Sequence, residues 1–139
     1  MWEYEHSVET TVAREAIWRR WSDVASWPQW NAGIARIEID GPFAVGTTFR
    51  MTAPGEEEPI SLHLAHIVPG EEFTDEMDAG EFVVRTLHRI EDLPGGGTRI
   101  VYRTEISGPA ADQVGPELGP QITADFPDVL DALVRLAQA

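Results

Sequence analysis

Between residues 34 and 107 the chain reads as six short extended runs, each mixing apolar and polar residues in alternation and each bounded by turn chemistry. "IARIEID" ends at Gly41-Pro42, "TTFRMTA" at Pro54-Gly55, "PISLHLAHIV" at Pro69-Gly70 and "EFTDEM" at Asp78-Ala79-Gly80. "EFVVRTLHRIED" and "TRIVYRTEIS" follow, separated by the glycine-rich "PGGGT". Such gaps are too short for a crossover helix, which parallel strands require, so these runs must pair as an antiparallel meander.

A seventh strand precedes them. In "WEYEHSVET", residues 2–10, Trp2, Tyr4, His6 and Val8 share one face while Glu3, Glu5, Ser7 and Glu9 share the other, the signature of a strand with one wet side. From Ala13 the period changes. Ala13, Ile17 and Trp21 fall on one helical stripe with Trp18 beside them, which predicts a short amphipathic helix whose start lacks a capping box. "SDVASWPQWN" then breaks that helix at Pro28 and allows one more short helical turn, capped by Ser22 or Asp23.

Beyond Pro109, Val114, Leu118, Ile122, Phe126 and Leu130 recur every four residues, and Leu133 and Ala137 extend the stripe. This is a terminal helix interrupted by Pro116, Pro120 and Pro127. The prolines predict a loose or broken first part, a kink near Phe126 and the cleanest helix from Asp128 to Ala137.

The order defines an α+β fold: a seven-stranded curved antiparallel sheet, two short helices after its first strand, and one long C-terminal helix to cover the inner face. A chain of 139 residues reads as one domain able to bury roughly two thirds of its unfolded surface. With no cysteine, disulfides, thiolate metal sites and cysteine nucleophiles are excluded, and a reducing, cytoplasmic setting is expected. No leader-like or membrane-spanning apolar stretch is apparent, so a soluble protein without a membrane partner is expected. A formal charge of −14 repels phosphate backbones, so nucleic acid is not expected as a partner either. Monomer and homodimer remain equally open.

A curved sheet wrapped on one helix leaves a hollow unless bulky side chains fill it. Alternation directs Trp2, Tyr4, Ile37, Ile39, Phe49, Met51, Leu62, Leu64, Phe73, Met77, Phe82, Val84, Ile100, Tyr102 and Ile106 inward, with Thr86, His88 and Thr104 as polar interruptions. From this set Phe49, Met51, Leu62, Leu64, Phe73, Met77, Phe82, Val84 and Thr86, with Phe126 and Leu130 of the terminal helix, are the expected ligand-facing residues. Four tryptophans crowd "WRRWSDVASWPQWN", and each buries on the order of 200 Å² when packed. Trp18 and Trp21 belong to the core. Trp27 and Trp30 either line the mouth of the hollow or simply pack.

His88 in "VVRTLHRI" projects inward, where a neutral imidazole can hydrogen-bond a ligand or move a proton, or serve only as a satisfied structural group. Tyr102 in "TRIVYRTEI" carries a phenol able to polarise a ketone, or to pack with its hydroxyl at the rim. Both are the candidate acid–base residues. His6 also points inward and His63 outward. Arg50, Arg85, Arg89, Arg99 and Arg103 alternate outward, toward the acidic surface. "PGGGT" lacks the Lys-Ser/Thr of a phosphate loop and reads as a hairpin turn. "TDEMDAGEF" lacks calcium-loop spacing, so Asp75, Glu76, Asp78 and Glu81 read as solvated acids around a turn. No metal-binding histidine spacing or nucleophile elbow occurs, and neither metal nor cofactor is expected.

The strand, then "REAIWRRWSD", "WPQWN", a meander closing on "TRIVYRTEISGP" and a proline-punctuated terminal helix together resemble the START-like, SRPBCC helix-grip superfamily that includes the pollen allergens. Within it the sequence is most similar to the polyketide cyclase/dehydrase-type bacterial branch. The resemblance spans the whole chain. It implies a deep apolar cavity under the long helix that binds a lipid, sterol or polyketide-like molecule. It also leaves open a polyketide aromatase/cyclase or dehydrase activity using His88 or Tyr102, and a chaperone-cofactor-like protein interaction role.

Overall fold

The computed structural model describes residues 1–138. Seven strands form one antiparallel sheet: β1 (Trp2–Thr10), β2 (Arg36–Ile39), β3 (Thr48–Thr52), β4 (Ile60–Val68), β5 (Glu72–Asp78), β6 (Val83–Asp92) and β7 (Thr98–Ser107). Their order across the sheet is β1-β7-β6-β5-β4-β3-β2, so six strands run as a meander and the first joins the last. Between β1 and β2 lie helix α1 (Arg14–Ser22) and a 3-10 helix (Val24–Gln29); α2 (Ala111–Thr123) and α3 (Phe126–Gln138) complete the chain. This is the helix-grip architecture. Among the described residues no helix is long and apolar enough to cross a membrane.

Register places the side chains that matter in rows across the inner face. Phe73, His88, Tyr102 and His6 are successive cross-strand partners, and Asp75, Thr86, Thr104 and Tyr4 form the next row. Directly opposed residues project to the same side of the sheet, so each row is one band of chemistry. A register shift between Leu64 and His66 interrupts β4 where it pairs with β5. Bulges of this kind bend the strand that carries them.

The outer face is a ladder of ion pairs. Arg103 lies among Glu3, Glu5 and Glu105, Arg99 joins Glu9 to Glu91, and Arg85 and Arg89 meet Glu76 and Glu72. On the outer face of β2–β3, Arg50 bridges Glu38 and Asp40, holding the Asp40 carboxyl down to about 2 through its hydrogen bonds. His63 faces outward beside Glu76. Exposed pairs contribute no more than about 1 kcal/mol each. Stability comes instead from the inner face, where Ile17, Trp21, Phe49, Leu64, Phe73, Ile100, Leu130 and Leu133 are fully enclosed.

The terminal segment departs from expectation in one respect. Helix α2 is regular through Pro116 and Pro120 rather than loose, because both prolines lie on its exposed side, where water can satisfy the carbonyls they leave free. Its buried side is made of Ala111, Gly115, Gly119 and Thr123. The two glycines let the Trp2 indole lie against the helix backbone, since a methyl group at Gly119 would sit 2.5 Å from the ring. The interruption falls at Ala124 and Asp125, next to the expected kink at Phe126. Pro127 occupies the first turn of α3, where its missing N–H costs nothing.

Candidate functional site

The sheet and the terminal helices do not close on one another. A cavity of about 330 Å³ remains between the inner face, the 3-10 segment and the break between α2 and α3. Trp27, Trp30, Asn31, Gly33 and Ile34 line it from the 3-10 segment and the residues after it, and Gln121, Ile122, Asp125, Phe126 and Val129 from the end of α2, the break and α3. The sheet supplies Met51 from β3, Ile60 and Leu62 from β4, Asp75 and Met77 from β5, Val84, Thr86 and His88 from β6, and Tyr102 from β7.

His88 is fixed from three sides. Its ring stacks on Phe73 at 4.0 Å and 4°, and meets Tyr102 edge-on at 4.6 Å and Trp21 at 5.9 Å. Its Nδ1 lies 3.3 Å from the Phe73 carbonyl, which can only accept, so Nδ1 carries the proton and Nε2 keeps a free lone pair. Burial pushes the imidazole down to about 3, against a weaker opposing pull from the Phe73 and Thr86 backbone. A neutral imidazole that resists protonation therefore borders the cavity, able to accept a hydrogen bond.

The Tyr102 hydroxyl accepts a hydrogen bond from Trp21 Nε1 at 3.2 Å, leaving its own proton available. Burial drives the phenol well above its ordinary range, the Trp21 hydrogen bond acts weakly in the opposite sense, and the charges of Asp75 and Asp125 raise it further. Thr86 and Thr104 hydroxyls bond each other at 3.0 Å.

Asp75 is the residue that sequence reasoning misplaced. Taken as a solvated acid near a turn, it is instead 8% exposed and opens on the cavity. Among the described residues no side chain or backbone group hydrogen-bonds its carboxyl, and burial alone raises it to about 7. The signal was present: Asp75 alternates with Phe73 and Met77, both placed inward. Asp125, half-buried at the helix break, is also raised by burial. Trp30 contributes a second unpartnered group, its indole Nε1 being buried with no acceptor. Trp27, by contrast, donates to the Trp21 carbonyl at 2.9 Å.

Of the residues expected to face a ligand, Trp27, Trp30, Met51, Leu62, Met77, Val84, Thr86 and Phe126 line the cavity, as do His88 and Tyr102. Phe49, Leu64, Phe73, Phe82 and Leu130 do not. Phe49 lies behind Trp27 at 5.5 Å, and Phe73 is enclosed by Trp21, Trp27, Phe43 and His88. Leu64 and Leu130 are fully buried in the same core, and Phe82 packs with Val84, Ile106 and Ala111 in a second cluster. Alternation gives a face; it does not say which rings stand in the first layer. His6 shares the inner face with Tyr102 without reaching the cavity.

The fold and site together define a helix-grip protein with an internal, mainly apolar chamber. The sequence matches the polyketide cyclase/dehydrase and lipid transport family over residues 1–138, and the chain belongs to that family. No curated protein matches it. Among solved structures it is similar to norcoclaurine synthase from Thalictrum flavum, at 18% identity and a TM-score of 0.76 over 98% of this chain and 86% of that one. It is also similar to the di-domain aromatase/cyclase BexL of the BE-7585A biosynthetic pathway, at 14% identity and 0.76, covering 97% of this chain and 46% of that one. A third is Ara h 8.0201, at 16% identity and 0.70, covering 98% and 97%. These likenesses establish the shared fold.

Proposed function

We propose that the protein binds a compact hydrophobic molecule of one to three rings in the chamber beneath α2 and α3. The observation that carries this reading is the cavity itself: about 330 Å³ left unfilled behind a close-packed aromatic layer, at the small end of the range for ligand pockets. The membership in a polyketide cyclase/dehydrase and lipid transport family supports it. A melting series with fatty acids, sterols and aromatic polyketides tests it. A ligand at about a hundred times its Kd adds roughly 2.7 kcal/mol, a shift of about 10 °C for a chain of this size. No shift with any of them would overturn the reading.

A second reading, cyclase or dehydrase chemistry, draws on the pairing of a free His88 Nε2 lone pair with a free Tyr102 hydroxyl proton, their rings 4.6 Å apart. Condensing a flexible polyketone needs a cavity that aligns the reacting carbons, a base to take a proton and a donor to polarise a carbonyl. His88→Ala and Tyr102→Phe separate the two. Lost turnover of a polyketide with retained binding supports the enzyme, whereas unchanged turnover removes both residues from it.

A further inference from the structure

We infer that the cavity selects a small hydrophobic amine, held as its ammonium against Asp75 with its hydrocarbon between Trp27, Trp30 and Phe126. The inference rests on the ligand-binding reading above and names the class of ligand. Asp75 is more than nine-tenths buried, opens on the cavity and has no hydrogen-bonding partner among the described residues. A second carboxyl, Asp125, also lines the cavity, at the helix break. Nothing on the lining balances them: the chain contains no lysine, and none of its ten arginines borders the cavity.

A buried charge without a partner is costly, and a ligand carboxylate placed here would meet two acidic groups and no cation. An ammonium does the reverse. It supplies the missing counter-charge to Asp75, and the aromatic rings beside it offer negative π-faces to a cation. His88, with Nδ1 committed to the Phe73 carbonyl, presents only a lone pair and adds no repulsion. Trp30 lines the same cavity, and its indole Nε1 is buried without an acceptor.

The test compares three probes sharing one skeleton: 1-naphthylmethylamine, 1-naphthalenemethanol and 1-naphthoic acid, titrated calorimetrically near neutral pH. The amine should bind about tenfold or more tighter than the alcohol, and the acid should bind weakest. In Asp75→Asn the amine's advantage should vanish while alcohol binding persists, which shows an intact cavity. Attraction of the amine to the protein's overall negative charge would survive that substitution and so cannot mimic the result. If the alcohol equals the amine, or Asp75→Asn leaves the preference unchanged, the amine assignment is overturned and the binding function stands. If none of the three binds while the melting series still finds a ligand, the amine assignment alone is overturned; if neither finds one, the binding function falls with it.

Discussion

Asp75 and His88 are buried in uncharged forms, and their titrations drive stability in opposite directions with pH. Asp75 titrates near 7 in the folded chain and at 3.8 when exposed, so between those values the folded state holds a proton that the unfolded state has lost. Stability must then fall as pH rises. His88 titrates near 3 when folded and at 6.5 when exposed, so in that interval the unfolded state binds the extra proton and stability rises with pH. From about pH 4 to 6.5 the two slopes, each at most about 1.4 kcal/mol per pH unit, cancel. Removing one group exposes the other. Relative to the parent chain, Asp75→Asn should gain about 2–3 kcal/mol between roughly pH 4.5 and 6.5, and His88→Gln should lose a similar amount. Urea unfolding at about three pH values in that window measures both. Carboxylates such as Asp40, held near 2 by Arg50, contribute equally to all three chains and drop out of the differences. Differences that are flat, or that share a sign, would refute the assignment of both groups as buried and neutral.

Gly119→Ala should destabilise by about 1–3 kcal/mol despite the higher helix propensity of alanine, because the new methyl meets the Trp2 indole at 2.5 Å; a raised Tm would contradict the packing described. Tyr102→Phe leaves the buried Trp21 Nε1 without its acceptor and should cost about 1–3 kcal/mol in chemical denaturation, an unchanged midpoint meaning that the bond contributes nothing. Trp27→Ala should cost about 3–5 kcal/mol and enlarge the chamber, shifting binding toward larger hydrophobic probes; loss of stability without that shift would place Trp27 in the core rather than on the wall. Arg103→Ala should change stability by less than about 1 kcal/mol, since the guanidinium and its partners Glu3, Glu5 and Glu105 all keep contact with water.

The architecture was legible because it rests on periodicities that every residue repeats. Alternation from Trp2 to Val8 and turn residues such as Pro69-Gly70 specify strands and hairpins locally, and short gaps force antiparallel pairing. Pro116 and Pro120 misled because a proline's cost depends on which side of the helix it occupies, and that side is set by the docking of Gly115 and Gly119 on Trp2. The chamber was less legible still. Phe73 and Met77 share a face and a strand, yet one is fully enclosed and the other borders the void, because depth within the layer depends on Trp21, Trp27 and Phe43 arriving from distant segments. Ile60, Ile122 and Val129 entered the lining through the same tertiary placement.

Asp75 shows how the most chemically informative residue escaped. The rule that acids near a turn are solvated and the rule that alternate residues share a face gave opposite answers for one position, and geometry won. Turning Asp75 outward would require slipping β5 by one residue, which would expose Phe73 and Met77 and break the Phe73–His88 and Met77–Val84 pairs. Burying two large apolar side chains outweighs the cost of one carboxyl, which lowers that cost by keeping its proton up to about pH 7. A strand can thus carry an ionisable group into an apolar chamber on the strength of its neighbours. Asp75 is the polar residue that breaks the inward apolar series of Phe73 and Met77, and it is there that β5 departs from an apolar lining.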